Sequence, residues 1–310
     1  LSVVQAFDPS ILSKSLHVFP VRDTWRIRSG GGFQGAMPVN AGKNPTPGLV
    51  INFYAGPSIT DSTPASITLR DKNKKLIKTY STDSKENKLE VNKGMNQWTW
   101  NLQYPEGEKI DGMILWNGVP GSILAAPGTY SALVKLGTDS VELPFVLKAD
   151  PNYKVSIADY EAQFNFLQEV QGSFNKVQKS VKEIRALRSQ LTDFVSRQGN
   201  AIPAEIKQQA DSITRQLTAV EEIFYQTKAK SFQDVLNFPI RLNDKLAGVF
   251  DAANSGNMAP SKQARDVYTD LAQQCEAAFN KLEQIKTIQV AAFNQLIREK
   301  ALPVIGVKAE

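Results

Sequence analysis

The stretch that decides the fold is residues 156–198, which read SIADYEAQFNFLQEVQGSFNKVQKSVKEIRALRSQLTDFVSRQ. The three-to-four-residue spacing of its apolar positions is typical of an amphipathic α-helix. Ser156 followed by Asp159 resembles a capping box at the start of a helix. The pattern predicts one helix of about 42 residues, about 60 Å long. Its predicted apolar stripe is Ile157, Tyr160, Phe164, Leu167, Val170, Phe174, Val177, Val181, Ile184, Leu187, Leu191 and Phe194.

The helical period continues toward the C terminus. Pro203 suits the first turn of a second helix, and Pro239 and Pro260 precede a shorter helix and another long one. Because long helices joined by short loops pack against each other in opposite directions, the sequence predicts an elongated antiparallel helical bundle. The predicted buried residues are Ile206, Ala210, Ile213, Leu217, Val220 and Phe224, then Leu242, Leu246 and Phe250, then Val267, Leu271, Cys275, Ala278, Leu282, Ile285, Ala292 and Leu296.

Before residue 151, short apolar stretches alternate with turn residues, which is the pattern of β-strands. This pattern predicts an antiparallel β-sandwich of immunoglobulin or fibronectin-III type. Trp98 and Trp100 fall on one face of one strand, and we interpret both as core residues. The predicted strands are Leu16–Arg22, Gly48–Tyr54, Ser66–Asp71, Lys75–Tyr80, Met95–Leu102, Gly112–Trp116, Gly128–Leu136 and Val141–Lys148.

The two patterns meet at Ala149-Asp150-Pro151. A proline disfavours helical backbone for the residue before it, so the two periods cannot merge there. We therefore expect a multi-domain β + α chain, with a β-sandwich module over residues 1–150 and a long helical bundle over residues 151–310.

The chain offers few residues for catalysis or metal binding. It contains one histidine, His17, and one cysteine, Cys275. A zinc site or a Cys/His nucleophile therefore has no ligand set, and Cys275 is predicted to be a small buried apolar residue. We expect no catalytic residue, no cofactor and no metal. A pair of carboxylates stays open as an alternative, since glycosidases need only two.

Residues 30–35 read GGGFQG, which formally matches a dinucleotide-binding motif. That motif needs a helix after it to bind the pyrophosphate, whereas Pro38 and Pro45 follow here. We therefore predict that Gly30–Asn44 is a loop that is either mobile or ordered by a partner, and that it binds no nucleotide.

Charge and hydropathy exclude two further classes. The net charge is +5, but both signs are spread through both halves, which is unlike a nucleic-acid-binding domain. We expect no nucleic-acid partner, and no apolar run reaches the length of a transmembrane helix. Because the chain begins at Leu1 rather than Met, we expect either a processed protein or a fragment.

Several runs of residues resemble one family. They are GKNP at 42–45, GMNQWTWNLQYP at 94–105, ILWNG at 114–118, APGTY at 126–130 and LNFPIRLN at 236–243. In this order they resemble the C-terminal region of large bacterial sortilin-like (VPS10-like) BNR-repeat proteins, often labelled glycosyl hydrolases. The resemblance covers nearly the whole chain. It implies a β-propeller N-terminal to this region, export in Gram-negative bacteria, many of them Bacteroidota, and a periplasmic or cell-surface location.

The family's Asp-box repeats, S-x-D-x-G-x-T-W, do not occur in this chain, so a glycosidase activity of the propeller is not carried over to residues here. The leading hypothesis is a non-catalytic interaction or scaffold region that contacts its own propeller or another protein. An alternative is an accessory carbohydrate-binding region of a propeller glycoside hydrolase, with a polysaccharide as ligand. A third is an adhesin-like stalk.

The predicted short helix also suggests where a partner would dock. The helix around Leu242–Phe250 covers about 20 Å of a bundle of about 60 Å, which leaves part of the long helices without a neighbour. A larger apolar patch there would mark an interaction site. Two alternatives stay open for Phe166, Val195, Phe232, Val235 and Phe293: they line this gap, or each of them thickens the core. Because together with the tail 302–307 they would form a large exposed apolar patch, we predict that the bundle or this tail packs against the propeller or another protein.

Overall fold

The computed structural model describes residues 2–28, 40, 42, 46–199 and 202–303. After a short N-terminal helix, strands precede the long helices along the chain, and the expected β + α class is confirmed. The chain forms two compact units, which we call the sheet unit and the helical unit. The sheet unit comprises Leu1–Pro105, Ser122–Phe164 and Asn257–Ala259; the helical unit comprises Glu106–Gly121, Asn165–Gly256 and Pro260–Glu310. Residues 106–121 are thus grouped with the helices, although they precede residue 150.

The described strands of the sheet unit form two sheets. One has the strand order β1-β3-β6 and the other the order β2-β8-β7-β4-β5. All neighbours are antiparallel except β2 and β8, which are parallel. Their bounds are β1 (Leu16–Val18), β2 (Thr24–Trp25), β3 (Leu49–Ala55), β4 (Ala65–Arg70), β5 (Leu76–Ser81), β6 (Gly94–Trp100), β7 (Gly128–Leu136) and β8 (Asp139–Lys148).

Both sheets contribute side chains to one hydrophobic cluster. Ile51 of β3 and Trp100 of β6 belong to the first sheet, and Ile67 and Phe145 belong to the second. Trp100 is completely buried, as predicted, while Trp98 is partly buried and packs against the edge of the cluster. Burial of alternate residues along β3 and β4 is what the period of a strand requires.

One predicted strand, Gly112–Trp116, is wrong. These residues form a loop that belongs to the helical unit. Gly112 and Gly118 have φ of 71° and 73°, values that a β-strand does not contain. The apolar letters of this segment mimic a short strand, but its backbone turns at both glycines.

The helices of the second half begin and end close to their predicted positions. The first long helix, α2, spans Ile157–Gln198 and has 42 residues. The Oγ of Ser156 accepts a hydrogen bond from the N–H of Asp159 at 3.1 Å and donates one to the Asp159 carboxylate at 2.7 Å. The later helices are α3 (Ala204–Phe224), α4 (Leu242–Asn254), α5 (Lys262–Gln284) and α6 (Ala291–Glu299), and a short helix at the N terminus is α1 (Ser2–Gln5).

A π-helical turn, Ile285–Val290, joins α5 to α6. Upstream of it, Cys275 and Leu282 are buried as predicted. Downstream, Phe293 and Ile297 are buried, and the predicted core residues Ala292 and Leu296 are exposed and half-buried. A π turn contains more residues than an α turn, so the buried face moves by one residue. Val267, another predicted core residue, is 50% exposed, and its neighbour Tyr268 is buried instead.

Side-chain pairs give the helix directions in the helical unit. In the pairs between α2 and α3, the residue number on α3 falls as the number on α2 rises, so these two helices are antiparallel. Along α2 and the helix from α5 to α6 the numbers rise together, so these helices run in the same direction. The pairs are Arg185–Glu221 and Arg188–Thr218 for the first case, and Lys176–Glu276 and Glu183–Lys286 for the second.

Candidate functional site

Asp244, in the first turn of α4, holds the loop 106–121. Its side chain is 3% exposed. Its two carboxylate oxygens accept hydrogen bonds from the backbone N–H groups of Trp116 and Asn117, each at 2.8 Å. The Asn117 amide also donates to the same carboxylate at 2.9 Å and to the Asp244 carbonyl at 3.0 Å. Hydrogen bonds to a buried carboxylate are strong, so this loop has a fixed backbone at Trp116.

A second, neutral network ties the same loop to α2 and α4. Asn243 and Gln178 are fully buried. The Asn243 amide donates to Gln178 Oε1 at 3.3 Å, and the Gln178 amide donates to the Glu108 carbonyl at 3.3 Å. The side-chain oxygen of Asn243 accepts from the N–H of Asp244 at 2.8 Å. Buried polar groups that bond to each other in this way favour a single arrangement.

The loop presents Trp116 to solvent. Its indole stacks on the ring of Phe232, with ring centroids 5.0 Å apart and an interplanar angle of 17°. Trp116 is 45% exposed, Phe232 57% and Leu236 77%. We call these three residues the aromatic platform.

Phe232 and Leu236 lie on a short 3-10 helix, Phe232–Leu236, which has its own N-terminal cap. The Asp234 carboxylate accepts from the backbone N–H groups of Lys230 and Ser231 at 2.7 and 2.9 Å. These hydrogen bonds lower the pKa of Asp234. Both partners of the aromatic stack are therefore held by carboxylates that bind backbone N–H groups.

A groove between α4 and α5, which we call the α4–α5 groove, has a volume of about 490 Å³. Its apolar wall includes Ile240, Val249, Val267 and Leu271, and the charged residue among its described lining is Lys245. Asn117, the neighbour of Trp116, also lines it. Gly248 faces Asn117 so closely that an added Cβ would lie 3.1 Å from its amide nitrogen.

The residues that the sequence suggested for a docking surface differ in their exposure to solvent. Phe232 is exposed and Val235 is partly buried, and both lie on the 3-10 helix beside Trp116. Phe166 and Phe293 are each 3% exposed, so both thicken the core, which is the second of the two alternatives, and neither lies on an open surface. Val195 is partly buried.

Part of the predicted tail can also be placed. Leu302 is partly buried and Pro303 is exposed, and the Pro303 carbonyl accepts a hydrogen bond from Gln198 at 2.9 Å. Residues 304–307 lie outside the described residues. A second groove, of about 480 Å³, lies between the C-terminal part of α2 and α6 and is lined by Leu191, Phe194 and Ile297, among others.

Sequence reasoning missed Trp116 and Asp244 as a pair. They are separated by 128 positions. Trp116 lies in the run ILWNG, and Asp244 directly follows the run LNFPIRLN. A tryptophan beside Asn-Gly in a turn was the available signal, but the strand interpretation of Gly112–Trp116 concealed it.

The one histidine and the one cysteine of the chain belong to different units. His17 lies on β1 in the sheet unit and Cys275 on α5 in the helical unit. Burial raises the pKa of the Cys275 thiol to about 11, and burial together with Lys14 lowers the pKa of His17. Within the described ranges there is no cluster of three or more His, Cys, Asp or Glu side chains that could hold a metal ion.

Two sequence predictions concern other parts of the chain. The GGGFQG motif lies outside the described residues, as does the loop Gly30–Asn44 apart from Asn40 and Gly42. Among the helices that the structure describes, none has both the length and the hydropathy needed to cross a membrane.

Comparison with known proteins gives no family. No family model and no curated protein matches this chain. A solved chain described as "pT26-6p" aligns with it at 12% identity and a TM-score of 0.12, over 78% of this chain and 46% of that chain. The chain therefore spans less than half the length of that solved chain, and a TM-score this low carries no argument about fold or function.

Proposed function

We propose that this chain is a non-catalytic interaction and scaffold region that binds a protein partner through the aromatic platform. The observation that carries the proposal is the exposed, stacked pair of Trp116 and Phe232, on a loop that Asp244 holds in place. Exposed apolar patches on soluble proteins mark interaction sites, and tryptophan is prominent among residues that dominate binding energy. A rigid platform also loses little conformational entropy on binding.

The finer architecture is part of the same proposal. An immunoglobulin-like sandwich is supported by the two sheets with one shared cluster, and by Tyr130. Its hydroxyl donates to the Ala126 carbonyl, four residues earlier, at 2.7 Å near the start of β7, which is the arrangement of a tyrosine corner. An elongated antiparallel helical bundle is supported by the opposite directions of α2 and α3. The sandwich would brace the chain, and the bundle would present the partner-binding surface.

The larger context rests on the family resemblance. On that basis we propose a C-terminal region of a sortilin-like BNR-repeat protein, exported to the periplasm or cell surface of a Gram-negative bacterium. The partner would be this protein's own N-terminal propeller or a separate protein.

A carbohydrate-binding accessory region is the second candidate, and Trp25 is the observation that favours it. Its ring is 44% exposed at the edge of the larger sheet, with the Lys148 ammonium 5.5 Å from the ring centre. Among the described strand residues, however, Trp25 is the one exposed aromatic ring, whereas the helical unit has a stacked pair. The geometry therefore favours the protein partner.

The test is affinity capture from an extract of the source cells, with chemical cross-linking. Three baits are compared: the natural chain, the double variant Trp116→Ala/Phe232→Ala, and Met95→Ala as a control for loss of an exposed apolar side chain in the sheet unit. We expect one protein to be retained by the natural chain and the control and lost with the double variant. Retention of a glycan that depends on Trp25, with no protein dependent on Trp116, would instead support the carbohydrate-binding function.

A further inference from the structure

The aromatic platform and the α4–α5 groove adjoin each other. Asn117 lines the groove, and its neighbour Trp116 carries the exposed ring of the platform. Val267, 50% exposed, lies in the groove wall. The helical unit therefore offers one surface with a flat aromatic part and a concave aliphatic part.

The segment 226–246, which carries Phe232, Leu236 and the groove residue Lys245, has an excess of positive charge. Residues 226–246 contain four cationic side chains, Lys228, Lys230, Arg241 and Lys245, and two carboxylates, Asp234 and Asp244. Both carboxylates accept hydrogen bonds from backbone N–H groups and are partly or fully buried. None of the four cations forms a salt bridge with another side chain in the described part of the chain.

Elsewhere in the helical unit, lysines and arginines are commonly paired. Lys176, Lys182 and Lys286 each contact a glutamate within 2.7 Å. Lys228, Lys230 and Lys245 differ from these three lysines in having no carboxylate partner within the described residues. A partner that covers this surface would place apolar groups against Trp116 and the groove, and it would gain electrostatically from carboxylates opposite Lys245, Lys228 and Lys230.

We propose that the platform and the α4–α5 groove together bind a peptide segment of a partner protein that carries apolar anchor residues flanked by Asp and Glu. This inference rests on the proposed function and names the chemistry of its partner. A groove of about 490 Å³ has room for a few aliphatic or aromatic side chains from one face of such a segment. Lys245 lies where a carboxylate beside those anchors would meet it.

The test uses a phage-displayed library of random peptides about 12 residues long, a length that spans the anchors of a short docking segment. The library is selected on the purified full chain, after removal of phage that bind Trp116→Ala. Trp116 is exposed, so its truncation does not remove a core residue. We expect the enriched peptides to have net negative charge and at least one large apolar residue.

Synthetic copies of the enriched peptides are then titrated against variants. Trp116→Ala should weaken binding by about tenfold or more. Lys245→Glu should weaken it by about tenfold at low salt and by less at high salt, because screening removes the electrostatic part. The matched control is Lys207→Glu, a charge reversal at an exposed lysine of α3 outside the groove, which should leave the affinity within about twofold.

Each outcome decides the proposal. Enriched peptides that are neutral or basic, affinities unchanged by Lys245→Glu, or no Trp116-dependent enrichment would each overturn it. The proposed function fails separately, when the affinity capture returns no protein that depends on the platform. A platform-dependent partner that binds without acidic peptides leaves the interaction function standing and removes only the acidic-segment inference.

Discussion

Single residues decide whether the aromatic platform exists, and Asp244 is the first of these. An amide in its place would offer only one oxygen to the two backbone N–H groups of Trp116 and Asn117. We expect Asp244→Asn to lower the free energy of unfolding by about 2 kcal/mol, since a buried donor is left without its acceptor. Urea denaturation measures this, and hydrogen exchange should speed up at amides 116 and 117. Asp251→Asn, at an exposed carboxylate of the same helix, should change neither measurement.

Glu221 is the buried charge that joins α2 to α3. It is 1% exposed, its Oε1 accepts from Arg185 Nε at 2.7 Å, and Arg188 pairs with its other oxygen. Breaking a buried pair leaves a charge uncompensated, but both arginines are partly exposed, which reduces the cost. We expect Glu221→Gln to destabilise the chain by about 3 kcal/mol in urea unfolding.

The matched control for Glu221 is Asp266→Asn. This change removes an exposed ion pair, in which the side chain of Lys262 is 81% exposed and that of Asp266 is 59% exposed. This change should cost less than about 0.5 kcal/mol. Equal effects of the two changes would show that the Glu221 cluster contributes no more than a surface pair.

Cys275 reports on the packing of α5. The side chain is 2% exposed and burial raises the pKa of the thiol to about 11. We expect iodoacetamide at pH 8 to label Cys275 only after unfolding, because the thiolate is the reactive form. The folded state favours the neutral thiol, because its pKa is about 11 there against an ordinary value of 9.0. The resulting stabilisation is fully present below pH 9.0 and is lost as the pH rises toward about 11. Rapid labelling of the native chain would contradict this account.

At the scale of elements, the π turn decides which residues of the last helix are core. Phe293, after the turn, is 3% exposed and its ring packs edge-to-face on Phe194 with centroids 5.8 Å apart. We expect Phe293→Ala to cost about 3–5 kcal/mol of unfolding free energy. Leu296→Ala, at the half-buried position that a regular α-helix would bury, should cost less than half as much. If Leu296→Ala destabilised the chain more than Phe293→Ala in thermal or urea unfolding, the last helix would have a regular α-helical register without the π turn.

The sequence predicted best the elements in which the pattern of apolar residues repeats regularly. The stripe from Tyr160 to Phe194 repeats often enough that α2 was predicted to its ends, and the alternation of Ile67 and Leu69 was equally informative for β4. The sequence did not predict the π turn at Ile285–Val290. Ala292 and Leu296 fit the α-helical period, and nothing in the local sequence indicates that the turn contains an extra residue. Trp116 was misplaced because its conformation depends on Asp244, 128 positions away. Local patterns contain no information about such a contact.

At the scale of the whole molecule, the expectation of binding without turnover rests on the sequence, which contains one histidine and one cysteine. His17 belongs to the sheet unit and Cys275 to the helical unit, where burial raises the pKa of the thiol to about 11. Two buried carboxylates of the helical unit have partners: Asp244 accepts backbone N–H groups with both oxygens, and Glu221 pairs with Arg185 and Arg188.

We therefore predict that the purified chain hydrolyses no glycoside, peptide or ester substrate above the uncatalysed rate. The measurement is a set of chromogenic substrates of the three classes, assayed across pH 4–9, a range that covers the ordinary titration of carboxylates and histidine. Turnover that disappears when one carboxylate is changed to its amide would contradict the prediction and reveal a catalytic pair. Turnover that is unaffected by every such change points to a contaminating enzyme. The platform variant Trp116→Ala should leave this zero rate unchanged while abolishing partner capture, which separates the binding surface from any chemistry of the chain.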